Sequence, residues 1–107
     1  MKILSLSAQK PDSTGSGVYL SELVKGFDKA GHRQAVICGV TAEDEIHLPD
    51  AITCYPVFYQ SKELPFPICG MSDEMPYEST RYCDLRPVMT EQLFTAFRRR
   101  IQEAVAQ

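Results

Sequence analysis

The run AVICGV, Ala35 to Val40, is apolar at every position rather than at alternate ones. A strand of that kind needs cover on both faces, as for an inner strand of a parallel sheet flanked by helices. The residues before it supply such cover. Leu20, Leu23, Val24 and Phe27 recur at i, i+3, i+4 and i+7, so they share one face of a helix starting near Gly17. Ser16 or Thr14 is placed to cap its start, and Gly31 to close its end in a left-handed conformation. Upstream, Ile3, Leu4 and Leu6 mark a short strand that ends near Ser7 or Ala8, followed by the polar loop AQKPDSTGSG. Strand, glycine-bearing loop, helix and parallel strand together predict an α/β layer architecture.

Beyond Val40 the pattern loosens. Thr41 to Asp50, TAEDEIHLPD, is acidic and irregular. Thr53 to Tyr59 follows as a strand whose Pro56 has no N–H to give to a ladder, which predicts an edge or bulged position. Between Ser61 and Pro87, Pro65, Pro67, Gly70 and Pro76 interrupt any period except a short strand around Phe66 to Cys69. Met71, Met75, Tyr77, Tyr82 and Leu85 give this long segment apolar surface with which to pack. Thr90 is placed to cap a last helix whose apolar stripe is Leu93, Phe97, Ile101 and Ala104 or Val105, with no stop signal before Gln107. A helix in that position hands the chain on to a further parallel strand. Residues 1–107 are therefore expected to be one incomplete N-terminal domain, with an open sheet edge through which the fragment self-associates.

Eleven Lys and Arg against 14 Asp and Glu leave a net charge of −3, which favours neither nucleic acid nor an acidic membrane surface as partner. No apolar stretch approaches the roughly 20 residues of a membrane span, so no transmembrane segment is expected. Cys38, Cys54, Cys69 and Cys83 form no C-x-x-C pair and have no histidine at zinc-ligand spacing; no metal or other cofactor is expected. The first apolar run is too short for a signal peptide, so the thiols are expected to be reduced and the location cytoplasmic.

Gly15-Ser16-Gly17 at a helix start is the first candidate site, since glycines let an anion approach the backbone and a helix N-terminus carries partial positive charge. A turn with a good cap accounts for the same residues. The pattern is a poor dinucleotide fingerprint: the loop from Ala8 to Gly15 is long, Leu20 stands where a third glycine belongs, and no acidic residue ends the second strand. A Walker loop is excluded, because no Gly-Lys-Ser/Thr follows. Ser72, Asp73, Tyr77 and Ser79 form a second candidate, a set of hydroxyls, a carboxylate and a ring suited to a polar acceptor; ordering of the loop explains them equally well. Arg98-Arg99-Arg100 points about 100° apart around a helix and is expected to be solvated. His32 belongs to the helix-ending turn, His47 has no evident partner, and Glu43, Asp44 and Glu45 form a solvent-facing charge run.

Taken whole, MKILSLSAQKPDSTGSGVYLSELVKGFDKAGHRQAVICG resembles the start of the family 4 glycosyltransferases, whose N-terminal domain opens with a strand, a glycine-pair loop, a helix and a Gly-His turn, here Gly31-His32. FPICGMSDEMPYESTRYCDL is similar to a segment found in one branch of that family. The resemblance implies a partial Rossmann-like, three-layer α/β/α domain of a two-domain GT-B enzyme. Such an enzyme transfers a sugar from a nucleotide-sugar donor to a sugar or lipid-linked acceptor with retention. It also implies that Gly15, Ser16 and Gly17 face the interdomain cleft, and that paired glutamates and basic phosphate ligands lie in a C-terminal domain outside this sequence. No catalytic residue is then identified within 1–107. The alternative is a stand-alone anion-binding or oligomerising module built on the same half-fold.

An incomplete sheet of this kind is expected to be marginally stable or self-associating as an isolated chain. Sedimentation together with urea denaturation checks this; a monodisperse monomer that unfolds cooperatively contradicts it.

Overall fold

The structure, a computed structural model, describes residues 1–11, 15–70, 75 and 77–107, with backbone alone for Gly15 and Ser16. β1 (Lys2–Ser7), α1 (Gly15–Lys29), β2 (Arg33–Val40) and β3 (Thr53–Phe58) form its first half. The three strands make one sheet in the order β1-β2-β3, and both outer strands run parallel to β2. β2 is the inner strand that the apolar run predicts.

Side chains alternate across a strand, and β2 uses the alternation to feed two cores. Val36, Cys38 and Val40 pack with Leu20 and Val24 of α1, closed at the margin by Ile46, Leu48, Ile52 and Cys54. Ile37 faces the other way, into a cluster with Val57, Tyr59, Leu64, Phe66 and Ile68. That second cluster is covered by Leu93 and Ala96 of α2 (Pro87–Val105), with Phe97, Ile101 and Ala104 packed against it. The two helices thus lie on opposite faces of a mainly parallel sheet, a three-layer α/β/α arrangement compatible with a partial Rossmann-like fold. Each fully buried Val, Leu or Ile contributes about 2 kcal/mol.

The ends of α1 follow local chemistry. The helix begins at Gly15, two residues before the expected start, so Ser16 lies inside it and is not the cap; Thr14 lies outside the described residues. At the other end His32 N–H donates to the Phe27 carbonyl and Gly31 N–H to that of Asp28, with Gly31 at φ 83. These two bonds define a Schellman motif, and the Phe27 and His32 rings meet edge to face at 6.0 Å across it. Gln34, buried at the start of β2, donates to the Val24 carbonyl at 2.9 Å and so ties helix to strand.

β3 is an edge strand, as Pro56 requires. Past it, Gln60 adopts φ 54 and the chain doubles back, with Ser61 N–H donating to the Leu64 carbonyl and Gln60 N–H to that of Phe66. Leu64, Phe66 and Ile68 thereby return to the α2 core. β4 (Ile68–Gly70) starts two residues later and ends one later than the expected strand, and it pairs in parallel with β5 (Ser79–Arg81), which no periodicity announces. α2 starts at Pro87 rather than after Thr90, because proline's fixed φ and missing N–H suit the first helical position. Thr90 is inside, its N–H donating to the Arg86 carbonyl. Ala104, not the exposed Val105, continues the apolar stripe.

Gly39 has no room for a side chain: a Cβ there would fall on the Ala8 carbonyl and the edge of the Tyr59 ring. Gly39→Ala is expected to cost about 3 kcal/mol through overpacking. Gly26, in α1 with nothing within 4 Å of a Cβ position, is the control, and Gly26→Ala is expected to stabilise by about 0.5 to 1 kcal/mol. Urea midpoints of the two variants read the difference, and equal effects contradict the crowding at Gly39.

Candidate functional site

In open parallel sheets, polar groups that act on ligands collect at the carboxyl ends of the strands, where loops and helix N-termini meet. Here the loop leaving β1 carries Gln9, whose N–H donates to Ser7 Oγ at 3.1 Å, and Lys10, and α1 starts at Gly15. Gly15 and Gly17 stand in the first turn of α1, and Gly17 is buried. The loop leaving β2 turns at Thr41, with Asp44 N–H donating to the Thr41 carbonyl.

Asp44 and Lys10 join those two loops. Lys10 Nζ lies 2.8 Å from Asp44 Oδ1, with side-chain exposures of 25% and 16%. Asp44 Oδ2 accepts from Thr41 N–H at 2.7 Å and from the Thr41 hydroxyl at 3.0 Å. Burial by itself would raise the Asp44 carboxyl. The hydrogen bonds from Lys10 and Thr41, together with the Lys10 charge, outweigh it and hold the group below the ordinary carboxylate value. Lys10 Nζ also stands 4.4 Å from the centre of the Tyr77 ring, a cation–π contact of about 0.5 to 1 kcal/mol. Gly70, at the end of β4, lies against the Met75 thioether and the Gln9 amide. Segments following β1, β2 and β4 therefore converge on Gln9 and Lys10.

Of the residues expected to form an acceptor site, Tyr77 is brought to this cluster. Ser79 is in β5, paired with Ile68, so it belongs to a strand and not to a loop. Ser72 and Asp73 lie outside the described residues. Asp44 is no part of a solvent-facing charge run, since three hydrogen bonds hold its carboxylate. His47 Nε2 lies 3.6 Å from Glu45 with both side chains exposed, a pair of negligible worth.

Arg100 departs furthest from the expected solvated face. Its Nε donates to the Pro56 carbonyl at 2.8 Å, and its Nη2 reaches Glu63 at 3.1 Å, with side-chain exposures of 17% for the arginine and 21% for the glutamate. This is a clamp between α2 and the outer edge of β3, far in kind from the exposed Lys25–Glu22 pair at 3.6 Å. A cavity of about 300 Å³ opens between the strands and the end of α2, lined by Lys2, Leu4, Arg33, Thr53, Tyr55 and Ala104. It lies at the amino ends of the strands and is mainly apolar, so the polar convergence around Lys10 is the better candidate.

Nothing in the sequence singles out Lys10 and Asp44 as partners. The usable signals were a lysine inside a strand-to-helix loop and a Thr-x-x-Asp spacing at a strand end, each too common to stand out. Because the Asp44 carboxyl is depressed on folding, its stabilisation is complete above the unfolded value of about 4 and disappears as pH falls through the folded value. Asp44→Asn is expected to cost about 1 to 2 kcal/mol at pH 7. That gap from the wild type should narrow as pH drops below about 4 in urea denaturation. A gap independent of pH contradicts the ionic role.

No protein-family model matches the chain, and no curated protein matches it either.

Proposed function

We propose that this α/β unit is the acceptor-side half of a retaining, nucleotide-sugar-dependent glycosyltransferase. The observation that carries the reading is the parallel pairing of β1 and β2 joined through α1, which starts that helix on the carboxyl-end side of the sheet, the side where the segments following β1, β2 and β4 meet. The resemblance of residues 1–39 to the family 4 opening agrees with it.

On this reading the first turn of α1 faces the diphosphate of the donor, and the Tyr77 ring borders the acceptor. The leaving diphosphate gains charge as the glycosidic bond to the donor breaks, so donors fixed in advance favour the transition state over the ground state. Magnitudes limit what this half can do. One helix N-terminus supplies about 0.3 to 2 kcal/mol, against the roughly 8 kcal/mol or more that enzymes take from a barrier. The remaining stabilisation falls to a second domain, and the 107-residue chain alone is expected to be inactive. The location consistent with a soluble nucleotide-sugar donor is cytoplasmic.

A second reading is a stand-alone anion-binding module that oligomerises. It is favoured by the outer edge of β1, which has no partner strand among the described residues and carries Leu6 at 48% exposure.

The coding sequence past Gln107 and the activity of its product separate the two. The expected outcome is a second domain bearing two glutamates separated by seven residues, and release of nucleoside diphosphate that requires both donor and acceptor. A stop codon directly after Gln107, or donor-and-acceptor-dependent release by the 107-residue chain, contradicts the proposed division of labour.

A further inference from the structure

Two thiols meet on the α1 face of the sheet. Cys38 on β2 and Cys54 on β3 belong to neighbouring strands in a register that pairs Val36 with Cys54 and Cys38 with Pro56. Their sulfurs are 3.5 Å apart. Both are free, Cys38 fully enclosed and Cys54 half-buried.

Their surroundings make them unequal. Cys38 packs among Leu20, Val24, Val36 and Val40, beyond the reach of any reagent. Cys54 lies at the margin of that cluster, open enough to be attacked or to attack. The contact with Cys54 and burial both push the Cys38 thiol up, whereas the hydrogen bond from Cys38 holds the Cys54 thiol below its ordinary value despite burial. A half-exposed sulfur touching a fully enclosed one at 3.5 Å is the arrangement of an attacking and a resolving cysteine.

We propose that Cys38 and Cys54 form a dithiol site that low-molecular-weight disulfides oxidise to an intramolecular disulfide, with Cys54 attacking and Cys38 resolving. The Cys54 thiolate attacks one sulfur of the reagent, forms a mixed disulfide and expels one reagent thiolate. Cys38 then attacks the Cys54 sulfur, and its proton passes to the second reagent sulfur, which leaves as a thiol. Two protein thiols are oxidised to one disulfide, and one reagent disulfide is reduced to two thiols. The sulfurs close from 3.5 Å to about 2 Å. The new bond joins the two ends of the segment that carries Thr41 and Asp44, so oxidation fastens at its base the turn that holds Lys10. The inference is independent of the sugar-transfer reading.

The test uses the whole chain with Cys83→Ser, which removes the exposed thiol, treated with oxidised glutathione, alkylated and mapped by peptide mass. Expected are a Cys38–Cys54 linked peptide, a loss of two hydrogens from the intact mass, and reversal by dithiothreitol. Adding Cys38→Ser should instead leave glutathione trapped on Cys54. Recovery of both cysteines reduced overturns the proposal. So does a lasting glutathione adduct on Cys54 while Cys38 stays free, or a bond from Cys38 to any cysteine other than Cys54. If the Cys38→Ser variant does not fold, the map of the Cys83→Ser chain decides alone.

Discussion

β2 has no face left for water: Val36, Cys38 and Val40 sit under α1 while Ile37 sits under α2, and all four are 1% exposed or less. Every other element is placed by the need to cover them. α1 must return over the sheet between β1 and β2, which fixes the parallel pairing of those strands and the tight Schellman turn at Gly31. α2 must lie on the opposite face, although it is separated from β3 by the long segment after Phe58. The same closeness bars a side chain at Gly39, where the chain leaving β1 passes over β2.

With the strands parallel, their carboxyl ends gather the loops, and the polar side chains there have only one another and solvent as partners. Lys10 and Asp44 meet at 25% and 16% exposure, intermediate between a surface pair worth little and a buried pair whose desolvation cancels its attraction. Thr41 shifts the balance, because two hydrogen bonds to one carboxylate oxygen offset the cost of its burial. The pair is therefore a fastening between two loops, and Tyr77 adds a third through the lysine's charge. That fastening ties the segments that follow β1 and β2 to each other at the carboxyl end of the sheet.

The far side of the sheet is closed by different means. In a parallel strand the N–H and C=O of one residue point the same way, and Tyr59 N–H points to β2, so Pro56 turns outward. Its missing N–H removes a donor from the exposed edge, and Arg100 occupies its carbonyl. Glu63 neutralises the arginine at 3.1 Å. The edge of β3 is thus unattractive to another strand, whereas the edge of β1 carries no such device among the described residues.

What can be read along the chain is what acts between near neighbours. Short apolar runs and helical period mark β1, α1, β2 and β3 nearly to the residue, and turn chemistry marks Gly31 and the edge position of Pro56. Local signals compete at the start of α2, where Pro87 outranks Thr90, and β5 is too short to have a period. Of the candidate site, the glycine-bearing helix start and Tyr77 were legible; Lys10, Asp44 and Thr41 were not. The contacts that make it a site join residues far apart: Lys10 to Asp44 across 34 positions, Arg100 to Pro56 across 44, Cys38 to Cys54 across 16. Strand order decides such contacts, and strand order is settled by which faces must be buried together. Periodicity fixes a residue's face, and only the assembled sheet fixes what that face meets.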